Sequence, residues 1–151
     1  QLASMRAAFE GIDPSITRVV VTHHPFDLPQ TEDDDDLVDR APMAMKAFAE
    51  VGVDLLLAGH LHTSHAGNTA DRYKISDFAA LVVQAGTATS TRGRGEVNSF
   101  NVIRIDGERI EVDRYGWDVL GKQFSKMQTE IFMRSANVWS AHNEEMMAAG
   151  I

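Results

Sequence analysis

The 151-residue chain contains no cysteine. Disulfide bridges and thiolate metal sites are therefore excluded, and imidazole and oxygen are the remaining metal ligands. Basic residues are also scarce. Fourteen Lys and Arg stand against 22 Asp and Glu, for a net charge of −8 with His neutral. That balance argues against non-specific DNA or RNA binding, which needs a basic footprint. A nucleotide held at a metal stays possible, because the ion supplies the positive charge. No apolar run approaches the roughly 18 residues of a membrane-spanning helix. No leader-like segment is evident, which says little in a chain that starts at Gln1 and not at Met; the expected location is the cytoplasm. Internal repeats and low-complexity linkers are missing too. One domain is expected over residues 1–151, with a core at 1–133 and a tail at 134–151. A hydrophobic content of 44% is enough to give such a chain a real core.

Leu2, Met5 and Phe9 recur at helical spacing, with Gly11 ending the run. No capping residue precedes them, which suggests that the chain continues a longer polypeptide. Thr17–Thr22, rich in β-branched residues, predicts a buried strand. Residues 25–37 form a loop, and its five acids Glu32–Asp36 read as a solvated segment; they lack the spaced ligands and Gly of a calcium loop. Asp39 is placed to cap a helix carrying Pro42 in its first turn and Met45 and Phe48 on its apolar face. Val53–Ala58 is a second strand, completing a βαβ unit. Leu81–Ala85 is a third. A hairpin is expected around Asp106-Gly107, from Phe100–Ile105 and Arg109–Tyr115. Gln123–Met133 reads as a further strand, and Ser140–Gly150 as a short helix or a frayed end. The fold class is α/β: a βαβ unit followed by antiparallel strands.

Two of these strands end abruptly in histidine. Val19–Pro25 reads VVVTHHP and Leu55–His62 reads LLLAGHLH. Neighbouring strands lie about 4.8 Å apart, and ligands of open α/β sheets gather at the carboxyl ends of the strands. Histidines leaving two such ends can meet around one ion. If Gly59 makes the turn and the next residues run extended, His60 and His62 point one way and Leu61 packs inward. Pro25 biases His24 toward an extended shape, so His23 and His24 are expected to face opposite ways and to differ in role. Burying several imidazoles without a partner is costly, and a metal is the common remedy. His65 and His142 read as incidental, and Trp117 and Trp139 as packing residues.

Thr22-His23-His24-Pro25 and Gly59-His60-Leu61-His62 resemble the later motifs of the calcineurin-like metallophosphoesterase family. Gly86-Thr87-Ala88-Thr89-Ser90 and Asn98-Ser99-Phe100 resemble its cyclic-nucleotide phosphodiesterase-like branch. The resemblance runs from about Gln1 to Trp117 and covers the family's second half. It implies a metallophosphoesterase-type sandwich. It also implies that His23 and His60 bind one metal and His62 the other, in a centre of two divalent ions, Mn, Fe or Zn, that activates water and clamps a phosphoester. The family's earlier motifs, Asp-x-His, Gly-Asp and Gly-Asn-His, do not occur; Gly67-Asn68-Thr69 is the nearest imitation. They would supply the bridging aspartate, an Asn ligand and a His assisting the leaving group.

The chain is therefore expected to be the carboxyl-side part of a longer metal-dependent phosphoester hydrolase, acting on phosphodiesters. Alone it would be inactive and hold at most one ion. His24 and Arg92 are candidates for substrate contact, with Arg92 reaching a phosphate. The expected partners are a phosphoester or nucleotide, the missing amino-terminal half and, through exposed apolar surface, a second copy. A non-catalytic metal-binding or assembly module is the alternative. A mononuclear zinc hydrolase on His23, His60 and His62 is a third reading, and it lacks an evident general base.

Overall fold

In the computed structural model, residues 1–28, 36–91 and 95–142 are described. The described residues form two helices and eight strands in chain order: α1 (Leu2–Phe9), β1 (Val19–Val21), α2 (Ala41–Val51), β2 (Leu55–Ala58), β3 (His65–Asn68), β4 (Leu81–Gln84), β5 (Ser99–Asp106), β6 (Arg109–Asp118), β7 (Gln123–Ser135) and β8 (Val138–Ala141). They form two four-stranded sheets. The first has the order β1-β2-β4-β3 and the second the order β5-β6-β7-β8. In the first, β1, β2 and β4 run parallel and β3 antiparallel. The second is an antiparallel meander. The expected α/β class, a βαβ unit followed by antiparallel strands, is what the chain adopts.

Alternation along the central strands builds two cores. On one face of the first sheet, Leu56 and Val82 meet Met45 and Phe48 of α2, with Leu2, Met5 and Phe9 of α1 packed alongside. On the other face, Leu55, Leu81 and Val83 meet Ile110, Val112, Phe132 and Trp139 of the second sheet. The result is three layers: helices, parallel sheet, antiparallel sheet. Trp139 is 1% exposed, so β8 contributes to the core although it lies beyond residue 133.

Several local expectations are corrected. The first strand is Val19–Val21, not Thr17–Thr22, and it is an edge rather than a buried strand, with Val21 72% exposed. Asp39 does not cap α2. Arg40 occupies that position in left-handed geometry without a side-chain cap bond, while Pro42 sits in the first turn as expected. Strand β3 was not foreseen, because His-Ala-Gly-Asn carries no β-branched or aromatic residue. Ser140 and Ala141 belong to β8 and not to a helix; residues 143–150 of that expected helix lie outside the described residues.

The outer face of the antiparallel sheet carries Asp113. Its carboxylate accepts hydrogen bonds from Thr129 Oγ1 and Arg104 Nη1, with Lys126 Nζ 3.4 Å away. These groups, Thr129 foremost, pull its pKa down to about 2. An aspartate lowered in the folded state stabilises above its unfolded value near 3.9 and loses that contribution as pH falls through about 2. Its charged partners are about half exposed, Arg104 at 52% and Lys126 at 49%, so screening reduces the effect to on the order of 1 kcal/mol. Acid unfolding of Asp113→Asn, followed by circular dichroism, should show a correspondingly weaker dependence on pH between about 4 and 2. An unchanged slope would rule the contribution out.

Candidate metal centre

The parallel register aligns Val21 with Leu57, so β1 and β2 release their chains side by side. Thr22 N–H donates to Leu57 O at 2.9 Å, and Gly59 N–H to His23 O at 3.3 Å. These bonds carry the pairing past the strands and fasten the two histidine segments together. Thr22 Oγ1 donates to His24 O at 2.7 Å, closing a bend at His23-His24 in place of the expected extended run. Both rings consequently turn toward His60. Ring centroids lie 4.9 Å apart for His23–His24, 4.9 Å for His23–His60 and 4.1 Å for His24–His60.

His60 faces His23 nitrogen to nitrogen, Nδ1 to Nε2, at 3.1 Å. One ligand nitrogen from each of His23, His24 and His60 falls within 4.8 Å of the others. Two nitrogens on a tetrahedral zinc, each bonded at about 2.05 Å, stand about 3.3 Å apart. The separation and donor chemistry therefore fit a first-row transition ion. They suit calcium or magnesium poorly, since both prefer all-oxygen shells.

The Gly59 turn differs from expectation. It is His60 and His62, not Gly59, that adopt positive φ, at 71° and 63°. Leu61 N–H donates to Gly59 O at 2.9 Å, a three-residue turn with His60 at its centre. Side chains with a β-carbon reach this region at a conformational cost, and such positions gather at functional sites. Leu61 is buried, as foreseen. The two histidines part company: His60 turns to His23, whereas His62 Nδ1 lies 2.7 Å from Thr87 Oγ1. Thr87 is fixed in turn by its carbonyl, which accepts from Ser99 N–H at 3.0 Å. The preceding Gly86 lies close under Ser99: a Cβ there would fall 2.2 Å from Ser99 Oγ, so a side chain would force that hydroxyl to turn away.

Of the expected ligands, His23 and His60 come together and His62 stands on Thr87. His24, expected at substrate, joins the nitrogen cluster. Arg92 lies outside the described residues. Asp36 Oδ1, 3.5 Å from His60 Nε2, is the contact that sequence reasoning missed. His65 is a partly buried strand residue whose imidazole is pushed down by burial, against the opposing pull of Asp27. His23 and His24 are exposed and His60 is partly so. The centre is thus an open edge. Surface clefts of about 720 and 800 Å³ lie away from it, beside α2 and α1.

No family model and no curated protein matches the chain. Among solved structures, Vps29 from Chaetomium thermophilum is similar at 16% identity and a TM-score of 0.48, over 82% of this chain and 58% of that one. A single mutant of Entamoeba histolytica Vps29 is similar at 17% identity and a TM-score of 0.37, over 70% of this chain and 53% of that one. The double mutant of the same protein gives 17% and 0.36, over 57% and 47%. The chain thus spans about half the length of each.

Proposed function

We propose that this chain is a metal-binding module carrying the histidine half of a metallophosphoesterase-type centre. The observation that carries this reading is the meeting of His23 Nε2 and His60 Nδ1 at 3.1 Å, from the ends of two parallel strands, with His24 beside them. Three imidazoles can hold one zinc or manganese ion in an open site. They do not bridge two ions; a paired centre needs a shared carboxylate and a second ligand set. His62, turned toward Thr87, is left for that second ion. Phosphoester hydrolysis, with Arg92 contacting phosphate, is proposed for the assembly that provides those ligands. The finer cyclic-nucleotide phosphodiesterase-like reading rests on Gly86–Ser90 and Asn98–Phe100.

Titration of the metal-free chain with Zn²⁺ by calorimetry should give one ion per chain, and a chromogenic phosphodiester should turn over at background. Two ions per chain would contradict the half-centre, and none would remove the metal site.

An assembly role is favoured by a separate observation. Among the described residues β1 has a partner on one side only, and Val21 on it is 72% exposed, while Leu120, in the β6–β7 turn, is 95% exposed. Open strand edges pair with further strands. The proposed occupants are a polypeptide that supplies the absent Asp-x-His, Gly-Asp and Gly-Asn-His motifs, or a second copy. Sedimentation of the isolated chain tests the second: a strictly monomeric species at high concentration would exclude it.

A further inference from the structure

The acidic run Glu32–Asp36 reads as a solvated loop, yet its last member reaches the imidazoles. Asp36 Oδ1 stands 3.5 Å from His60 Nε2, while the other nitrogen of that ring, Nδ1, faces His23 at 3.1 Å. Resting on the reading of His23, His24 and His60 as a metal site, we propose that Asp36 is a positioning residue that holds the His60 proton on Nε2 and so presents the Nδ1 lone pair to the ion.

A neutral imidazole has one N–H and one lone pair, and its surroundings choose which nitrogen carries which. A carboxylate beside Nε2 favours the proton there. Carboxylate–imidazole–metal arrangements of this kind orient the ring and raise its basicity as a ligand. The segment carrying Asp36 is anchored to the site. Val38 N–H donates to Pro25 O at 3.0 Å, tying it to the loop that carries His23 and His24. At 3.5 Å the contact exceeds a formed hydrogen bond. With an ion on Nδ1, the Nε2–H would be the stronger donor and Asp36 the acceptor placed to receive it. The same assignment fixes the ion-free contact between the rings: His23 Nε2–H donates to His60 Nδ1. For His23 to offer Nε2 to an ion, its proton would move to Nδ1, whereas His60 would keep its tautomer.

Two measurements test this. In the metal-free protein, two-bond proton–nitrogen correlation of the imidazoles should show His60 as the Nε2–H tautomer, and Asp36→Ala should give a mixture. In zinc titrations, Asp36→Ala should weaken binding by about 10- to 100-fold. Stoichiometry and the metal-free unfolding midpoint should stay unchanged, and Asp36→Glu should recover part of the loss. Asp39→Ala, which removes an equal charge from a fully exposed neighbour, should leave the affinity as it was. A His60 Nδ1–H tautomer in the wild type, or an Asp36→Ala protein that binds zinc as tightly, would overturn the proposal. A wild-type chain that binds no zinc would instead defeat the metal reading, and the tautomer measurement would still decide what Asp36 does to His60.

Discussion

His24→Ala is expected to weaken binding of the single ion about as severely as His23→Ala or His60→Ala, by about 100-fold or more. The floor comes from removal of an outer-shell partner alone, which typically loses 10- to 100-fold; losing a ligand removes the bond itself. His62→Ala should leave that affinity within about twofold, because its ring is bonded to Thr87 and not to the cluster. The contrast separates this geometry from an ion held by His23, His60 and His62, in which His24→Ala would be mild and His62→Ala severe. Zinc calorimetry on the four variants reads it directly. Since His23 and His24 are exposed, their unfolding midpoints should match the wild type, so lost affinity cannot be ascribed to lost fold.

The difference between His24 and His62 marks how far the sequence reaches. That His23 and His60 meet follows from two apolar runs, each ending in histidine, once they are neighbouring parallel strands. Which of the remaining histidines joins them depends on backbone dihedrals one or two residues past the strand ends. The expectation for His24 assumed that Pro25 enforces an extended segment. The bend closed by Thr22 Oγ1 on the His24 carbonyl overrides that bias. The expectation for His62 assumed that glycine absorbs the turn. Instead His60 and His62 take the positive φ, and the period-two alternation is lost. Side-chain direction at such turns is decided by hydrogen bonds to distant segments, as with Thr87 for His62.

The regular elements show the same division. α2, β2 and the β5–β6 hairpin carry their own signals: helical spacing ending at Gly52 in left-handed geometry, a compact apolar run, and a turn with Gly107 at φ 57°. β3 and β8 do not. β3 exists because β4 has an edge to be paired, and β8 because β7 presents a second edge opposite β6, where Phe132 and Met133 pair with both neighbours. Both are four-residue strands; β3 is stabilised by what lies beside it rather than by its own composition, whereas β8 brings Val138 and Trp139 in a run too short to stand out in the sequence.

Asp54 is the strongest case of a residue whose role comes from long-range contacts, and Asp54→Ala is expected to lower stability by about 3–5 kcal/mol. It precedes β2 and is 5% exposed, and in the sequence it is one residue of the expected strand Val53–Ala58. Its Oδ2 accepts from Arg18 N–H at 2.8 Å, at the entrance to β1. Its Oδ1 accepts from Arg134 Nη1 at 3.0 Å on β7 and from Trp139 Nε1 at 3.1 Å on β8. One carboxylate thus joins the parallel sheet to the antiparallel sheet through three donors. Removing it strands a buried indole N–H and a guanidinium only 16% exposed, and the lost hydrogen bonds to a charged acceptor account for the size of the effect. For a chain of this size that corresponds to a fall in unfolding midpoint of about 6–20 °C. Asp54→Asn keeps one oxygen acceptor and should lose roughly half as much. Thermal unfolding by calorimetry distinguishes the cases. A fall of less than about 1 kcal/mol in Asp54→Ala would mean that the sheets are held by their apolar contact alone, with the carboxylate merely tolerated between them.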